Sequence, residues 1–228
     1  MPQSESELLL TPYQTRLLRR FFITYYDECG RDFPWRAPQT TPFQLLIAEM
    51  LLRQTRADQV VPCWQELVAR ASTATELLEV LPAELHRIIA PLGLANQRTV
   101  SLIDCSSALM QIYSGEVPRA PEELATLPHV GTYAANAVAC FAFDTRLPIV
   151  DGNVLRVFSR LINVDLGRDN RRSPRAIKMA WQILPRKMFR EHNWGLLDFA
   201  AAICTSRAPA HGECGLRRSC GCYQKSTC

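Results

Sequence analysis

Residues 127–160, LPHVGTYAANAVACFAFDTRLPIVDGNVLRVFSR, restrict what this chain can fold into more than any other stretch. Leu127-Pro128-His129-Val130-Gly131 reads as a tight turn feeding a helix from Thr132 to about Phe143. Gly131 lets the backbone turn and come close to a partner. The amides at the start of that helix have no intrahelical acceptor and can hold an anion such as a phosphate. Eighteen residues after Tyr133 stands Asp151, followed by Gly152-Asn153 and a new helical pattern. A phosphate-gripping turn followed by a carboxylate at a helix start points to chemistry on a nucleic acid.

The rest of the chain supplies the setting. Thr11-Pro12 reads as a helix start, with Tyr13, Leu17, Leu18, Phe21, Phe22 and Tyr25 at helical spacing and an end near Cys29-Gly30. Phe33-Pro34-Trp35-Arg36, Pro38 and Pro42 form an extended link. Helical patterns follow over Phe43 to about Arg53, Ala57–Arg70, Thr73–Val80, Pro82–Ile89, Asn96–Tyr113 and Pro121–Ala125. No stretch alternates as a strand does, so the fold class is all-α.

The 228 residues can bury one good core or two small ones. No apolar run is long enough to cross a membrane, since Glu49 interrupts Leu45–Leu52. MPQSESELLL has no basic region followed by a long apolar core, so the expected location is intracellular, cytoplasm or nucleoid. The formal charge of +4 is unevenly spread. Between Arg146 and Arg190 eleven Lys/Arg stand against three Asp, a basic run suited to phosphates, or else an arginine-rich solvated helix pair.

Of nine cysteines, Cys29, Cys63, Cys105 and Cys140 lie in apolar or amphipathic segments and read as buried thiols. The other five crowd into the last 25 residues. Without a secretory signal, such crowding reads as metal or cluster ligation before disulfides.

The hairpin turn with the following Asp resembles the helix-hairpin-helix plus Gly/Pro-Asp signature of base-excision DNA glycosylases, the superfamily of endonuclease III and MutY. The resemblance covers nearly the whole chain from about Arg31. It implies a six-helix barrel over 34–144 carrying the hairpin. A second helical subdomain, from 1–33 and 145–228, would carry an iron–sulfur loop, with the active-site cleft between the two. It also implies double-stranded DNA with a mismatched or damaged base as partner, no membrane, and action as a monomer.

The implied site residues follow from matching positions. Asp151 would stabilise the oxocarbenium-like sugar or activate water as the N-glycosidic bond breaks. Glu49, the one carboxylate in LLIAEMLL, would donate a proton or hydrogen-bond the flipped base. Tyr133 stands where bifunctional relatives carry a Schiff-base lysine, and residues 34–144 contain no lysine at all. A monofunctional glycosylase is implied, because an amine nucleophile is needed to form the imine. Gln54 would fill the gap left by the extruded nucleotide, with Arg53 and Arg56 near the same DNA face. His129, Gly131 and Thr132 would bind phosphate, although the family usually has glycine where His129 stands.

The family's cluster motif is Cys-x6-Cys-x2-Cys-x5-Cys, and here it reads Cys204-x6-His211-x2-Cys214-x5-Cys220. Several readings stay open: a [4Fe-4S] cluster with His211 as fourth ligand, the same cluster with Cys222 or Cys228 instead, zinc, which accepts three Cys and one His, or an empty or disulfide-bonded tail.

On substrate, the chain's end just after the cysteines, GLANQR at 93–98 and NWGLLDF at 193–199 resemble thymine-DNA mismatch glycosylases. DGNV and RQT lean toward MutY. Thymine or uracil opposite guanine is the reading taken, adenine opposite 8-oxoguanine or guanine the alternative. An inactive DNA-binding module is a third, which the pair Glu49 and Asp151 argues against.

Overall fold

The computed structural model describes residues 9–167 and 173–225. The N-terminal octet, Arg168, Asp169, Arg171 and Arg172 of the basic run, and Cys228 lie outside them. Among the described residues there are twelve α-helices and no strand. They form two compact units, one of Asp32–Thr145 and one of Met1–Arg31 with Arg146–Cys228.

The continuous unit holds α2 (Pro42–Leu51), α3 (Ala57–Arg70), α4 (Ala74–Glu79), α5 (Pro82–Ile89), α6 (Ala95–Tyr113), α7 (Pro121–Leu124) and α8 (Thr132–Phe143). α2 starts where its local chemistry dictates. Thr41 Oγ1 accepts from the Gln44 amide, the Gln44 side chain accepts from the Thr41 amide, and Pro42 takes the first helical position. From Phe43 to Leu51 all but Gln44 are buried, Glu49 among them at 5% exposure. α2 lies against α8, whose run Ala134–Phe141 is small and buried apart from Asn136. The link ahead of α2 is fixed by aromatics: Phe33 stacks on Trp35, Trp35 meets the edge of Trp64, and Trp64 Nε1 donates to the Gln44 carbonyl at 2.9 Å.

The second unit joins α1 (Pro12–Cys29) to α9 (Gly152–Ile162), α10 (Pro174–Ile183), α11 (Phe189–Ala202) and α12 (Gly221–Gln224). α1 begins with the same Thr-Pro-x-Gln capping box. Its Phe21, Phe22 and Tyr25 pack edge-on against Phe199 of α11. Gly195 makes that approach possible, since a Cβ there would run into the Phe22 carbonyl. Arg31, just past α1, reaches the buried Asp198 with Nη2 at 2.8 Å, and its amide donates to the same carboxylate at 2.9 Å.

Two expectations are corrected here. Cys29, the last residue of α1, is exposed rather than buried, although Cys63, Cys105 and Cys140 are buried. Part of the basic run, Arg146, Arg156 and Arg160, is not a free cationic face. Arg146 donates to the carbonyls of Leu184 and Pro185 and lies over the Trp181 ring. Arg156 donates to Ala200 and Cys204, and Arg160 to Cys204, Thr205 and Ser206. These guanidiniums tie helices and loops together.

Candidate active site and cysteine loop

In the continuous unit, two turns come together around one cavity of about 510 Å³, lined among others by Met50, Arg53, Gln54, Leu94, Arg98 and His129. Gln54 and Leu94 both hold left-handed backbone, with φ of 57° and 54°. Both turns are organised by Arg98, which the sequence offered only as the last residue of GLANQR at a helix start. Its buried fork donates through Nε to Gly93 O (2.9 Å), through Nη1 to Leu51 O (3.0 Å), and through Nη2 to Arg53 O (2.8 Å) and Thr55 Oγ1 (2.6 Å). It satisfies carbonyls that the end of α2 leaves without intrahelical donors. Burial, and secondarily the Arg53 cation, pulls this guanidinium below the usual value.

The hairpin differs in detail from its sequence reading. The left-handed residue of the turn is His129, at φ 62°, the position where the family usually has glycine, while Gly131 has a φ of −87° that any residue adopts. Gly131 contributes open space: nothing lies within 4 Å of where a side chain would start. It is the N-cap of α8 with no side-chain cap, and Gly131 and Thr132 are exposed. Tyr133 follows, half-buried. His129 donates from Nε2 to Asp104 Oδ2 on α6 at 2.9 Å, while Arg53 Nη1 donates to the His129 carbonyl at 3.1 Å. Arg53 is therefore spent at least partly on the hairpin. Arg56 is paired with Asp58 at the surface.

Asp151, in the other unit, is the N-cap of α9. Its Oδ1 accepts from the Val154 amide and its Oδ2 from Asn153 Nδ2, both at 2.7 Å. Both oxygens face the positive end of the helix dipole. The Asn153 Oδ1 accepts from Arg156 Nη1 at 2.9 Å, and Arg156 Nε donates to Cys204 O at 2.8 Å. The segment leading into Asp151 is held by the buried Asn193, which donates to Leu147 O and accepts from the Ile149 amide. Arg156 was not singled out by sequence, and Asn193 only as the first residue of NWGLLDF; the fold reveals which carbonyls each serves.

The motif residues of the C-terminal loop, Cys204, His211, Cys214 and Cys220, line one small cavity together with Arg160, Arg217 and Tyr223. Arg160 Nη1 lies 3.3 Å from Cys204 Sγ, and Cys220 Sγ donates to Arg160 O at 3.3 Å. Burial pushes the Cys214 thiol up, countered by the Leu216 and Arg217 amides that point at its sulfur. The His211 ring meets Tyr223 edge-on. Cys222 is disulfide-bonded, and Cys228 lies outside the described residues. Among the described residues no three His, Cys, Asp or Glu side chains are grouped closely enough for one metal ion.

Compared with known proteins, residues 47–182 match the HhH-GPD superfamily of base excision DNA repair proteins. The thymine/uracil-DNA glycosylase of Methanothermobacter thermautotrophicus is 32% identical over 203 residues, 89% of this chain and 91% of that protein. The adenine DNA glycosylase of Mycolicibacterium smegmatis is 35% identical over 85% of this chain but only 66% of its own length. A solved thermostable thymine-DNA glycosylase superposes with a TM-score of 0.87 at 31% identity, covering 93% of this chain and 98% of that one. The chain belongs to the HhH-GPD superfamily of base excision DNA repair proteins and is one of its DNA glycosylases.

Proposed function

We propose that this glycosylase removes thymine or uracil opposite guanine and leaves the DNA strand intact. The observation that carries the reading is end-to-end similarity to thymine-DNA glycosylases, nearly complete in both directions in sequence and in fold. The adenine glycosylase is as similar residue for residue but is matched over a smaller share of its length. Adenine opposite 8-oxoguanine is therefore the reading to test against.

Asp151 is the carboxylate we assign to the developing positive charge at C1′, because it is fixed on both oxygens by a helix start and a side chain. Glu49 is the second assignment, a buried carboxylate among apolar neighbours on α2, placed for proton donation or a hydrogen bond to the extruded base. Tyr133 cannot supply the amine that imine formation needs, which supports hydrolysis without strand cleavage. Gln54, at the tip of an exposed turn, fills the gap in the stack. The amides of Gly131 and Thr132 receive a phosphate of the backbone, with His129 shaping the turn. We read α2 to α6 and α8 as the six-helix barrel of the family.

For the C-terminal loop we infer a [4Fe-4S] cluster held by Cys204, His211, Cys214 and Cys220. Three soft sulfurs and an imidazole share one cavity, which suits the cluster. Zinc, which accepts three Cys and one His, is the alternative for the same residues. The cluster's contribution here is structural, pinning the loop whose Cys204 carbonyl anchors Arg156 and Arg160. Base release from duplexes holding T/G, U/G, A/G or A/8-oxoguanine tests the substrate assignment. Release confined to the adenine duplexes would reverse it.

A further inference from the structure

We propose that Asp104, on α6, is a positioning residue for DNA binding: it holds the His129 ring and so keeps the hairpin turn in its phosphate-receiving shape. The inference rests on the reading of the 127–131 hairpin as a phosphate site.

His129 occupies the backbone region that favours glycine. Nothing in the imidazole compensates for that by itself. The structure supplies two ties instead. Asp104 Oδ2 accepts from the ring at 2.9 Å, and Arg53 Nη1 holds the carbonyl of the same residue at 3.1 Å. The Val130 amide closes the turn onto Leu127 O at 3.1 Å. The turn then delivers Gly131, uncapped and open to solvent, at the head of a twelve-residue helix.

The placement of Asp104 is otherwise counterproductive. A half-exposed carboxylate beside a surface that receives phosphate repels it. Engaged with His129 it serves the turn.

A double-mutant cycle decides the matter, using the full chain and a T/G duplex whose target nucleotide carries 2′-fluorine to block base release. Asp104→Ala is expected to weaken binding about three- to fivefold, the value of an exposed ion pair. In the His129→Gly background, where the turn needs no tether, the same substitution is expected to have no measurable effect. Base release at saturating enzyme on an unmodified duplex should be unchanged by Asp104→Ala, which separates positioning from general damage. Tighter or unchanged binding by Asp104→Ala, or an equal loss in both backgrounds, overturns the proposal. A Thr132→Pro variant checks the underlying reading, since proline is tolerated at the first helical position and removes one amide donor. If it binds as tightly as wild type, the hairpin is not the phosphate site and the role of Asp104 goes with it. If it binds weakly while the cycle shows no coupling, only the Asp104 assignment fails.

Discussion

Asn153 donates from Nδ2 to the Asp151 carboxylate at 2.7 Å while accepting, on Oδ1, from Arg156 at 2.9 Å. Arg156 is anchored in turn on the carbonyls of Ala200 and Cys204. The orientation of Asp151 is thus tied to the backbone that begins the cysteine loop. Replacing Asn153 by Ala leaves the Val154 cap in place but frees one carboxylate oxygen to rotate. Single-turnover base release should fall about 10- to 100-fold, the penalty for misplacing a reacting group by around an ångström. Binding to uncleavable DNA should change little. Equal losses in both measurements would show that Asn153 acts on folding or binding instead.

Asp151→Asn separates chemistry from scaffold. Asparagine caps helices as well as aspartate does, so α9 should form and melting should shift little. Base release should drop by at least about 10²–10³-fold through loss of the charge facing C1′. Salt-dependent DNA binding should persist. Base release at the wild-type rate would refute the assignment.

Much of the helical scaffold was legible because its starts are chemically marked. Thr11-Pro12-x-Gln14 and Thr41-Pro42-x-Gln44 are capping boxes in sequence and in space. Asp151 was legible because it stands directly before a helical pattern and follows the hairpin turn as in the family signature. Arg98, Asn193 and Arg156 were not. Their partners are backbone carbonyls as many as 48 residues distant in sequence, and a carbonyl leaves no residue signature to match. Part of the basic run was misread for the same reason. Charge counting cannot distinguish an arginine facing solvent from one, such as Arg146 or Arg160, that ties carbonyls together. His129 was legible as the residue standing where the family usually has glycine, and it does take the left-handed position of the turn.

His192 makes stability depend on pH. It is 1% exposed on α11, edge-on to Phe22, with no hydrogen-bond partner on either ring nitrogen. Burial, with the Arg19 cation adding, depresses its pKa from 6.5 to about 3. The unfolded chain therefore takes up the proton first. The neutral ring's full stability is present above about pH 6.5 and is lost as the pH falls below it, by up to about 1.4 kcal/mol per unit down to about pH 3. Melting of wild type and His192→Leu should accordingly diverge between pH 7 and pH 4, with the variant the less acid-sensitive. Parallel pH profiles would contradict this.

The loop makes its own prediction. Anaerobically purified protein should be brown and hold four irons per chain, and His211→Ala should lose iron and visible absorption together. A colourless protein containing one zinc would replace the cluster assignment. A variant that keeps full iron and an unchanged spectrum would exclude His211 as a ligand.

The central claim is hydrolysis of the bond to thymine opposite guanine without strand cleavage, and one labelled T/G duplex tests it. After incubation, half of the sample is run directly and half after hot alkali, which breaks abasic sites. An intact labelled strand is expected in the first lane and a cleaved one in the second. A strand cut before alkali, or one that stays intact after it, would rule out hydrolysis of thymine from T/G without strand cleavage.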